Sequence, residues 1–396
     1  MAHESRRVLV AMSGGVDSSV AAWLLKQQGY TCLGATMRLY DGEDAGAGAA
    51  GAELSGSASA ARACGNRADI EDARAVAERL GIPFTVIDCR ARFEDDVIEP
   101  FVRAYEAGLT PNPCAICNRR IKFGALLEHA RKLGCDYLAT GHYARVARRA
   151  GDAGGAPVFE LRRAADASKD QSYFLYGLTQ DVLAHVLFPL GDLTKEGDVR
   201  RIAHEQGFET AAKRDSQGIC FVADNDFASF IERRRGQTLP EGDILDSAGT
   251  PLGRHRGAIR YTVGQRKGLG VAAAHPLYVT RIDARANTVT LGEEADLMAG
   301  ALIADEWTWT APTGELEAAL DRAGDGGLPV SVRIRYHQQG QAACLKRASD
   351  AERAGCADEA FRIDFADVQR AIAPGQAVVV YDGDTVLGGG RIVRAV

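Results

Sequence analysis

Near the start of the chain a short apolar run, Arg6-Arg7-Val8-Leu9-Val10-Ala11-Met12, breaks into Ser13-Gly14-Gly15-Val16-Asp17-Ser18-Ser19. Val16, Val20, Trp23 and Leu24 then recur at helical spacing up to Gly29. Strand, glycine turn and helix in that order predict the first βα unit of a parallel sheet. The pattern continues, with strands predicted at Thr31 to Leu39, Phe84 to Asp88 and Asp136 to Thr140, and a helix at Asp69 to Leu80 stopped by Gly81. Alternating strands and helices imply a sheet covered on both faces. The turn itself suits an anion. Its glycines let the backbone approach closely, the free N–H groups of the helix start point outward, and the serines add donors. Asp17 offers a carboxylate to a magnesium ion bridging phosphate oxygens.

A chain of 396 residues holds two to three domains at about 150 residues each. Hydrophobic residues are 46% and charged residues 25%, which excludes wholesale disorder. No run approaches the roughly 18 to 20 apolar residues of a membrane span, and no apolar core of a secretory signal is read before Ser13. The expected location is the cytoplasm, with no membrane partner. Between Glu43 and Gly65 the sequence turns to Ala, Gly and Ser. It contains a formal G-x-G-x-x-G at Gly46, Gly48 and Gly51 but no helix opens from it, so it reads as a surface loop. From about Asp224 short alternating segments take over. Pro329 to Tyr336 reads as one strand, and Gln376 to Tyr381, Asp382-Gly383 and Thr385 to Val393 as a hairpin. The predicted fold class is α/β: a Rossmann-like parallel-sheet nucleotide-binding domain over 1–223, a small mixed central domain over 224–292 and a C-terminal β-barrel over 293–396.

Nine cysteines are an odd number and too few for a disulfide scaffold. Cys32, Cys89 and Cys344 sit in strand-like runs and read as buried and inert; Cys64, Cys135 and Cys356 carry no signal. Three stand apart. Cys114 and Cys117 form a C-x-x-C within Thr110 to Asn118, and Cys220 lies in Asp215-Ser216-Gln217-Gly218-Ile219-Cys220-Phe221. Spacing leaves the C-x-x-C open between a structural pair and a redox pair, and a zinc site lacks a second ligand pair. Nearby Arg119, Arg120 and Lys122 favour thiolate over thiol. The net charge of −6 conceals local excess: Arg254 to Arg285 holds seven Lys/Arg against Asp283 alone, and Arg233-Arg234-Arg235 adds a short run. Such stretches suit nucleic-acid phosphates. Arg333 and Arg335 alternate with Val332, Ile334 and Tyr336 and are predicted on one face of one strand.

No G-x-x-x-x-G-K-S/T occurs, so the first loop is not of the Walker type. It resembles the loop of the PP-loop pyrophosphatases, which cleave ATP between the α and β phosphates to adenylate a substrate oxygen. An ordered set follows: Thr110 to Asn118 with Ile121-Lys122-Phe123, Ala139-Thr140-Gly141-His142-Tyr143, Lys169-Asp170-Gln171-Ser172-Tyr173-Phe174-Leu175, Gly218-Ile219-Cys220-Phe221 and Gly264-Gln265-Arg266-Lys267-Gly268-Leu269-Gly270. From about residue 6 to 394 this set resembles the tRNA-specific 2-thiouridylases, enzymes that thiolate the wobble uridine of certain tRNAs.

The resemblance implies roles residue by residue. Ala11, Met12, Ser13, Gly14, Gly15, Val16, Asp17 and Ser18 would bind the phosphates of ATP, with Met37 and Gly141 near its adenosine. Cys220 would receive sulfur as a persulfide, and Cys117 would attack to release it, leaving a Cys117–Cys220 disulfide. Asn112, Pro113 and Cys114 would meet the target base. Lys169, Asp170, Gln171, His142, Arg335, Tyr336 and Gln376 would touch the tRNA. A sulfur-relay protein or cysteine desulfurase is the implied persulfide donor. Many members carry Asp where this chain has Cys114, which leaves the general-base role there open. The same difference offers an alternative to the persulfide route, an iron–sulfur cluster on Cys114, Cys117 and Cys220. Two other readings compete. An adenylating amidotransferase uses a similar loop, but here Ala2 stands second instead of Cys and no G-x-C-x-G elbow occurs. A non-catalytic tRNA-binding protein would not need both Cys117 and Cys220 in their motifs.

Overall fold

A computed structural model describes residues 6–40, 67–151, 155–213, 218–222, 226–357 and 359–396. The Glu43–Gly65 loop with Cys64, positions 215–217 of the Cys220 motif and the 223/224 boundary lie outside the described residues. The chain divides into two compact units. One comprises Met1–Ile98, Cys114–Asn225 and Asp384–Val386; the other comprises Glu99–Pro113, Asp226–Gly383 and Leu387–Val396.

The first unit is built on a parallel sheet. Its strands are β1 (Arg7–Ala11), β2 (Thr31–Arg38), β3 (Phe84–Asp88), β4 (Tyr137–Ala139) and, after a β5–β6 hairpin (Arg145–Arg149, Val158–Arg162), β7 (Val186–Leu187). They lie in the order β3-β2-β1-β4-β7, and every pairing is parallel. Central strands buried on both faces read as unbroken apolar runs, as Val8-Leu9-Val10 does. Helix α1 (Val16–Gln27) lays Val16, Val20, Ala21 and Leu25 on this sheet, and α2 (Arg67–Leu80) adds Ala73, Val76, Ala77 and Leu80 to the same core. The chain leaves β1 toward β2 and β3 on one side, then returns to β4 and β7 on the other. The order therefore reverses between β1 and β4, where open α/β sheets bind ligands at the carboxyl ends of the strands.

The second unit contains two β structures. Strands β8 (Gly242–Leu245), β9 (Pro251–His255), β10 (Tyr278–Asp283) and β11 (Thr288–Gly292) form a sheet in the order β10-β11-β8-β9 around Ile244, Val279, Val289 and Leu291. Strands β12 (Met298–Trp309), β13 (Leu328–Arg333), β14 (Gln341–Arg347), β15 (Phe361–Arg370), β16 (Ala377–Asp382) and β17 (Thr385–Ala395) run β12-β15-β14-β13-β16-β17. Pairing of β17 back to β12 closes them into a six-stranded barrel filled by Leu302, Val332, Leu345, Phe361, Ile363 and Val378. The expected barrel and its last hairpin are both present. One strand is shorter than its alternation suggested: β13 stops at Arg333, because the chain bends at Ile334 and Arg335.

The segment Glu99–Pro113 packs within this unit. Phe101 and Tyr105 of the helix Glu99–Glu106 meet Phe227 at 6.0 and 5.4 Å between ring centroids. Arg235, in the helix Phe227–Arg235, donates to Glu99 and Glu106 at 2.7 to 3.3 Å. These carboxylates raise its pKa above that of an ordinary arginine. Arg235 thus braces two helices, which corrects its expected place in a basic surface run. Arg233 is exposed.

Candidate functional site

The Ser13–Ser19 loop crosses the carboxyl end of β1 and opens α1. Gly14 has φ +69°, and a Cβ there would collide with the carbonyl of Asp69. Only glycine fits this combination of left-handed backbone and close approach. Gly15 caps α1 in an extended conformation with no side-chain cap bond. The hydroxyls of Ser18 and Ser19 instead donate to the Gly15 carbonyl at 3.1 and 2.9 Å, and the Ser13 N–H donates to Ser18 Oγ at 3.1 Å. The loop is thereby held by its own side chains while the first amides of α1 keep their outward donor capacity and positive dipole end. Gly141, just past β4, presses on the same helix start: a Cβ there would stand 2.8 Å from the Ser18 nitrogen. The sheet's reversal point thus carries Ala11 to Ser18 and Gly141 together. Met37 lies near the end of neighbouring β2 and is half-buried.

Asp17 has partners that no local spacing announces. Lys195 donates to both of its carboxylate oxygens at 2.7 Å, and the Tyr143 hydroxyl donates to one at 2.8 Å. The Lys195 side chain is 1% exposed and that of Asp17 32%. A buried ammonium is tolerable only beside such an anion. Asp17 is therefore held by an internal ion pair while part of its side chain stays exposed. A second lysine reaches the loop from the other side: Lys213 donates to the Gly14 carbonyl at 2.9 Å, to Asp69 at 2.6 Å and to Asp72 at 2.8 Å. Burial lowers its pKa, but the two carboxylates outweigh this and leave it raised.

The C-x-x-C opens a helical run. Pro113–Cys117 continues through a π-helical stretch, Asn118–Ala125, into Leu126–Lys132. π-Helical turns recur at functional sites because one widened turn redirects its side chains. Here Asn118 turns inward and its side-chain N–H donates to the Phe174 carbonyl at 3.1 Å, while its buried Oδ1 has no hydrogen-bond partner among the described residues. Cys114 is exposed and Cys117 buried. Cys220 is half-buried, with its carbonyl accepting from the Tyr40 hydroxyl at 3.4 Å and the next residue, Phe221, edge-on to Phe93. None of the three is in a disulfide. Among the described residues no three of His, Cys, Asp or Glu gather in a way that could hold a metal ion. Cys114, Cys117 and Cys220 are thus not gathered here into the three-thiolate site considered from sequence. Cys32 and Cys89 are buried as expected, and burial raises both thiol pKa values, that of Cys89 to about 11. Cys344 is only half-buried.

The residues expected at RNA fall into distinct settings. His142 is buried, its Nδ1 2.7 Å from Thr140 Oγ1, and burial together with Lys122 holds its pKa well below the usual histidine value. Asp170 is buried and accepts from the N–H groups of Ala164 and Ser172. Gln171 accepts from the Tyr143 N–H at 2.9 Å, and Lys169 is half-buried. These contacts shape the Lys169–Leu175 turn from within.

In the second unit, Arg335 is exposed and donates to the carbonyls of Arg370 and Ala371 at 2.6 and 2.5 Å. Arg333 is buried beneath the Tyr381 ring. The two arginines do not share one strand face, as alternation alone suggested, because Arg335 lies past the strand's end. Tyr336 is half-buried, next to His337 at 4.5 Å between rings. Gln376 donates to the Thr110 carbonyl at 3.0 Å, and the Thr110 N–H donates to the Pro374 carbonyl at 2.8 Å. This fastens the chain just before Asn112, which is half-buried, and Pro113, which is buried. Thr110, Gln376, Arg335, Arg370 and the Thr262–Gly264 turn line a cavity of about 380 Å³. Of the seven basic residues from Arg254 to Arg285, three are ion-paired: Arg254 with Glu241 and Asp243, Arg260 with Glu232, and Arg281 with Asp283. Among the described residues no carboxylate pairs with Arg256, Arg266, Lys267 or Arg285, which stay available to phosphates.

Comparison with known proteins agrees with this layout. Residues 6–224 match the family described as tRNA methyl transferase HUP domain, 228–293 its PRC-barrel domain and 299–392 the aminomethyltransferase beta-barrel domain. The chain is 45% identical over 392 residues to tRNA-specific 2-thiouridylase MnmA of Geobacter metallireducens, covering 98% of this chain and 97% of that one. It is 45% identical over 395 residues to the protein of the same name from Geotalea uraniireducens, covering 100% and 96%. The counterpart from Lachnoclostridium phytofermentans is 43% identical over 389 residues, covering 98% and 100%. With a phosphate-type loop at the sheet's reversal point, two cysteines in their motifs and matches along its full length, the chain belongs to the tRNA-specific 2-thiouridylase family.

Proposed function

We propose that the protein is a tRNA-uridine 2-sulfurtransferase that adenylates the C2 oxygen of the wobble uridine and replaces it with sulfur. The observation that carries this reading is the uncapped start of α1 between Gly14 and Gly141, a phosphate cradle at the sheet's reversal point. The C2 oxygen of uridine is a poor leaving group. Its attack on the α-phosphate of ATP expels pyrophosphate and makes it part of a good one, AMP. The α1 amides are oriented to stabilise charge that develops on the phosphates. Cys220 carries sulfur as a persulfide; the Cys117 thiolate attacks its Sγ, hydrosulfide leaves, and a Cys117–Cys220 disulfide remains. Hydrosulfide adds to C2, AMP departs, and an external thiol reduces the disulfide before the next persulfide is loaded.

Magnesium, in this reading, arrives on the ATP phosphates and is not caged by the protein, since Asp17 is engaged by Lys195. Residues 1–223 serve ATP and sulfur chemistry, while 224–292 and 293–396 serve the tRNA through Arg256, Arg266, Lys267 and the surroundings of Arg335 and Gln376. Cys114 takes no proton-transfer step here. A sulfur-relay protein or cysteine desulfurase supplies the persulfide, and the reaction takes place in the cytoplasm. The test is product analysis with purified protein, ATP, unthiolated tRNA, a persulfide donor and an external thiol. AMP and pyrophosphate should form in step with 2-thiouridine and only when tRNA is present. Release of ADP, or turnover indifferent to tRNA, would overturn the reading.

A further inference from the structure

The residue after Cys117 is tied to a buried turn. Asn118 is buried, and its side-chain N–H donates to the carbonyl of Phe174, the last residue of the tight turn Ser172–Phe174. That turn is itself firmly held. Asp170 accepts from both the N–H and the hydroxyl of Ser172 at 3.1 Å, and Ser172 and Tyr173 are fully buried. Arg119 lays its stem along the same segment, where a Cβ on Gly177 would stand 3.0 Å from Arg119 Cδ. At the other end, the Leu126 N–H reaches back five residues to the Ile121 carbonyl, and the helix Leu126–Lys132 packs beside β4. The π-helical stretch Asn118–Ala125 is thus held at both ends, at different places in the first unit.

We infer that Asn118 is a positioning residue that sets the direction in which Cys117 faces. A widened turn takes in one residue more than an α-helix does. The chain before it is therefore rotated by about 100°, one residue's share of an α-helical turn, relative to a continuous helix. Without the bond to Phe174 the stretch is free to relax toward α-helix, and Cys117, one residue upstream, turns with it. Packing alone does not call for an amide at this position. An apolar side chain of the same shape would fill the space, whereas Asn118 buries an Oδ1 that has no partner among the described residues, at a desolvation cost. The amide N–H is the part that the site uses. With Cys117 fixed in direction, the approach of the two sulfurs falls to the segment that carries Cys220. This inference rests on the reading of Cys117 as the attacking thiolate and of Cys220 as the sulfur carrier.

The experiment loads Cys220 with sulfur from glutathione persulfide and then adds ATP and unthiolated tRNA. Over a single turnover, the Cys117–Cys220 disulfide is followed by peptide mass spectrometry beside the release of pyrophosphate. In Asn118→Leu the disulfide should form about a hundredfold more slowly, the effect of misplacing a reacting group by about 1 Å. Pyrophosphate release should keep its native rate. The melting temperature should barely move, because loss of one hydrogen bond is offset by removal of the unpartnered oxygen. A disulfide formed at the native rate would overturn the inference. So would a fall in pyrophosphate release equal to that in disulfide formation, which marks general disruption of the site. Should Asn118→Leu fail to fold, Asn118→Ser provides the second measurement. Its hydroxyl stops one atom short of the amide nitrogen, so disulfide formation at the native rate there would also overturn the proposal. Absence of the disulfide from the native protein would count instead against the persulfide roles of Cys117 and Cys220.

Discussion

The two halves of the candidate site are built in opposite ways. Around the phosphate loop nearly every polar side chain is partnered inside the protein: Ser18 and Ser19 with Gly15, Asp17 with Lys195 and Tyr143, Gly14 with Lys213. The sulfur half consists of two cysteines on separate segments, not joined by a disulfide, one buried in a helical run and one half-exposed in a turn. The contrast separates two demands. Charge stabilisation during adenylation needs fixed dipoles that cost no reorganisation. Sulfur transfer needs two sulfurs to meet, part and be recharged, which rigid placement would prevent.

Substitutions can break this contrast, and the largest effect is expected on the sulfur side. Cys220→Ser and Cys117→Ser should each lower thiolation about a thousandfold or more while leaving ATP affinity unchanged, as removal of a nucleophile does. Thiouridine formation and nucleotide calorimetry, run side by side, check this. If ATP affinity fell as well, the halves would not be separable. On the fixed side, Gly14→Ala must strain its backbone and push Asp69, and α2 with it, away from the loop. A loss of about 3 kcal/mol in stability is expected, readable by denaturant titration with and without ATP. Lys195→Met should cost a similar amount, about 3 kcal/mol, because it strands the Asp17 carboxylate. Lys195→Met that unfolds like the native protein would show that this pair is not what holds the loop.

A smaller effect concerns pH. His142 is held neutral in the folded chain, so its folded pKa lies below the unfolded value of about 6.5. The unfolded state then binds the extra proton first. The stabilisation is present above pH about 6.5 and declines as pH falls, with a slope of at most about 1.4 kcal/mol per pH unit. Melting temperatures between pH 7.5 and 5 should show the decline, and His142→Gln should flatten it. The smallest effect is expected in the basic stretch, where Arg266→Ala should reduce the salt dependence of tRNA binding by about one ion's worth without changing kcat at saturating tRNA.

Much of the first unit was legible from pattern alone. The strands at Thr31 and Phe84 and the helix ending before Gly81 fall where the periodicity put them, because their apolar faces are local facts. The glycine loop was equally readable, since its fold and its chemistry demand the same residues. What pattern could not supply were partners far apart in sequence. Lys195 looks like any lysine after a threonine until it is seen on Asp17, and Lys213 until it is seen on Gly14. Arg235 read as part of a basic run and proved to be a brace between helices. Alternation from Val332 to Tyr336 continued past the end of β13, because alternation records side-chain character and not the bend at Ile334. Cys114 and Cys117, three positions apart, were readable as a pair, but their opposite exposure comes from the packing of the helix that carries them.

The packing of Phe101 and Tyr105 against Phe227 has a consequence during synthesis. The helix Glu99–Glu106 leaves the ribosome roughly 120 residues, or about ten seconds, before the helix that covers its aromatic face. Throughout that interval the nascent chain displays two large rings and the carboxylates of Glu99 and Glu106, which still await Arg235. Translation beyond residue 235 is therefore the step that ends this exposure, and a polypeptide terminated before Phe227 would keep a sticky aromatic face that chaperones and proteases recognise.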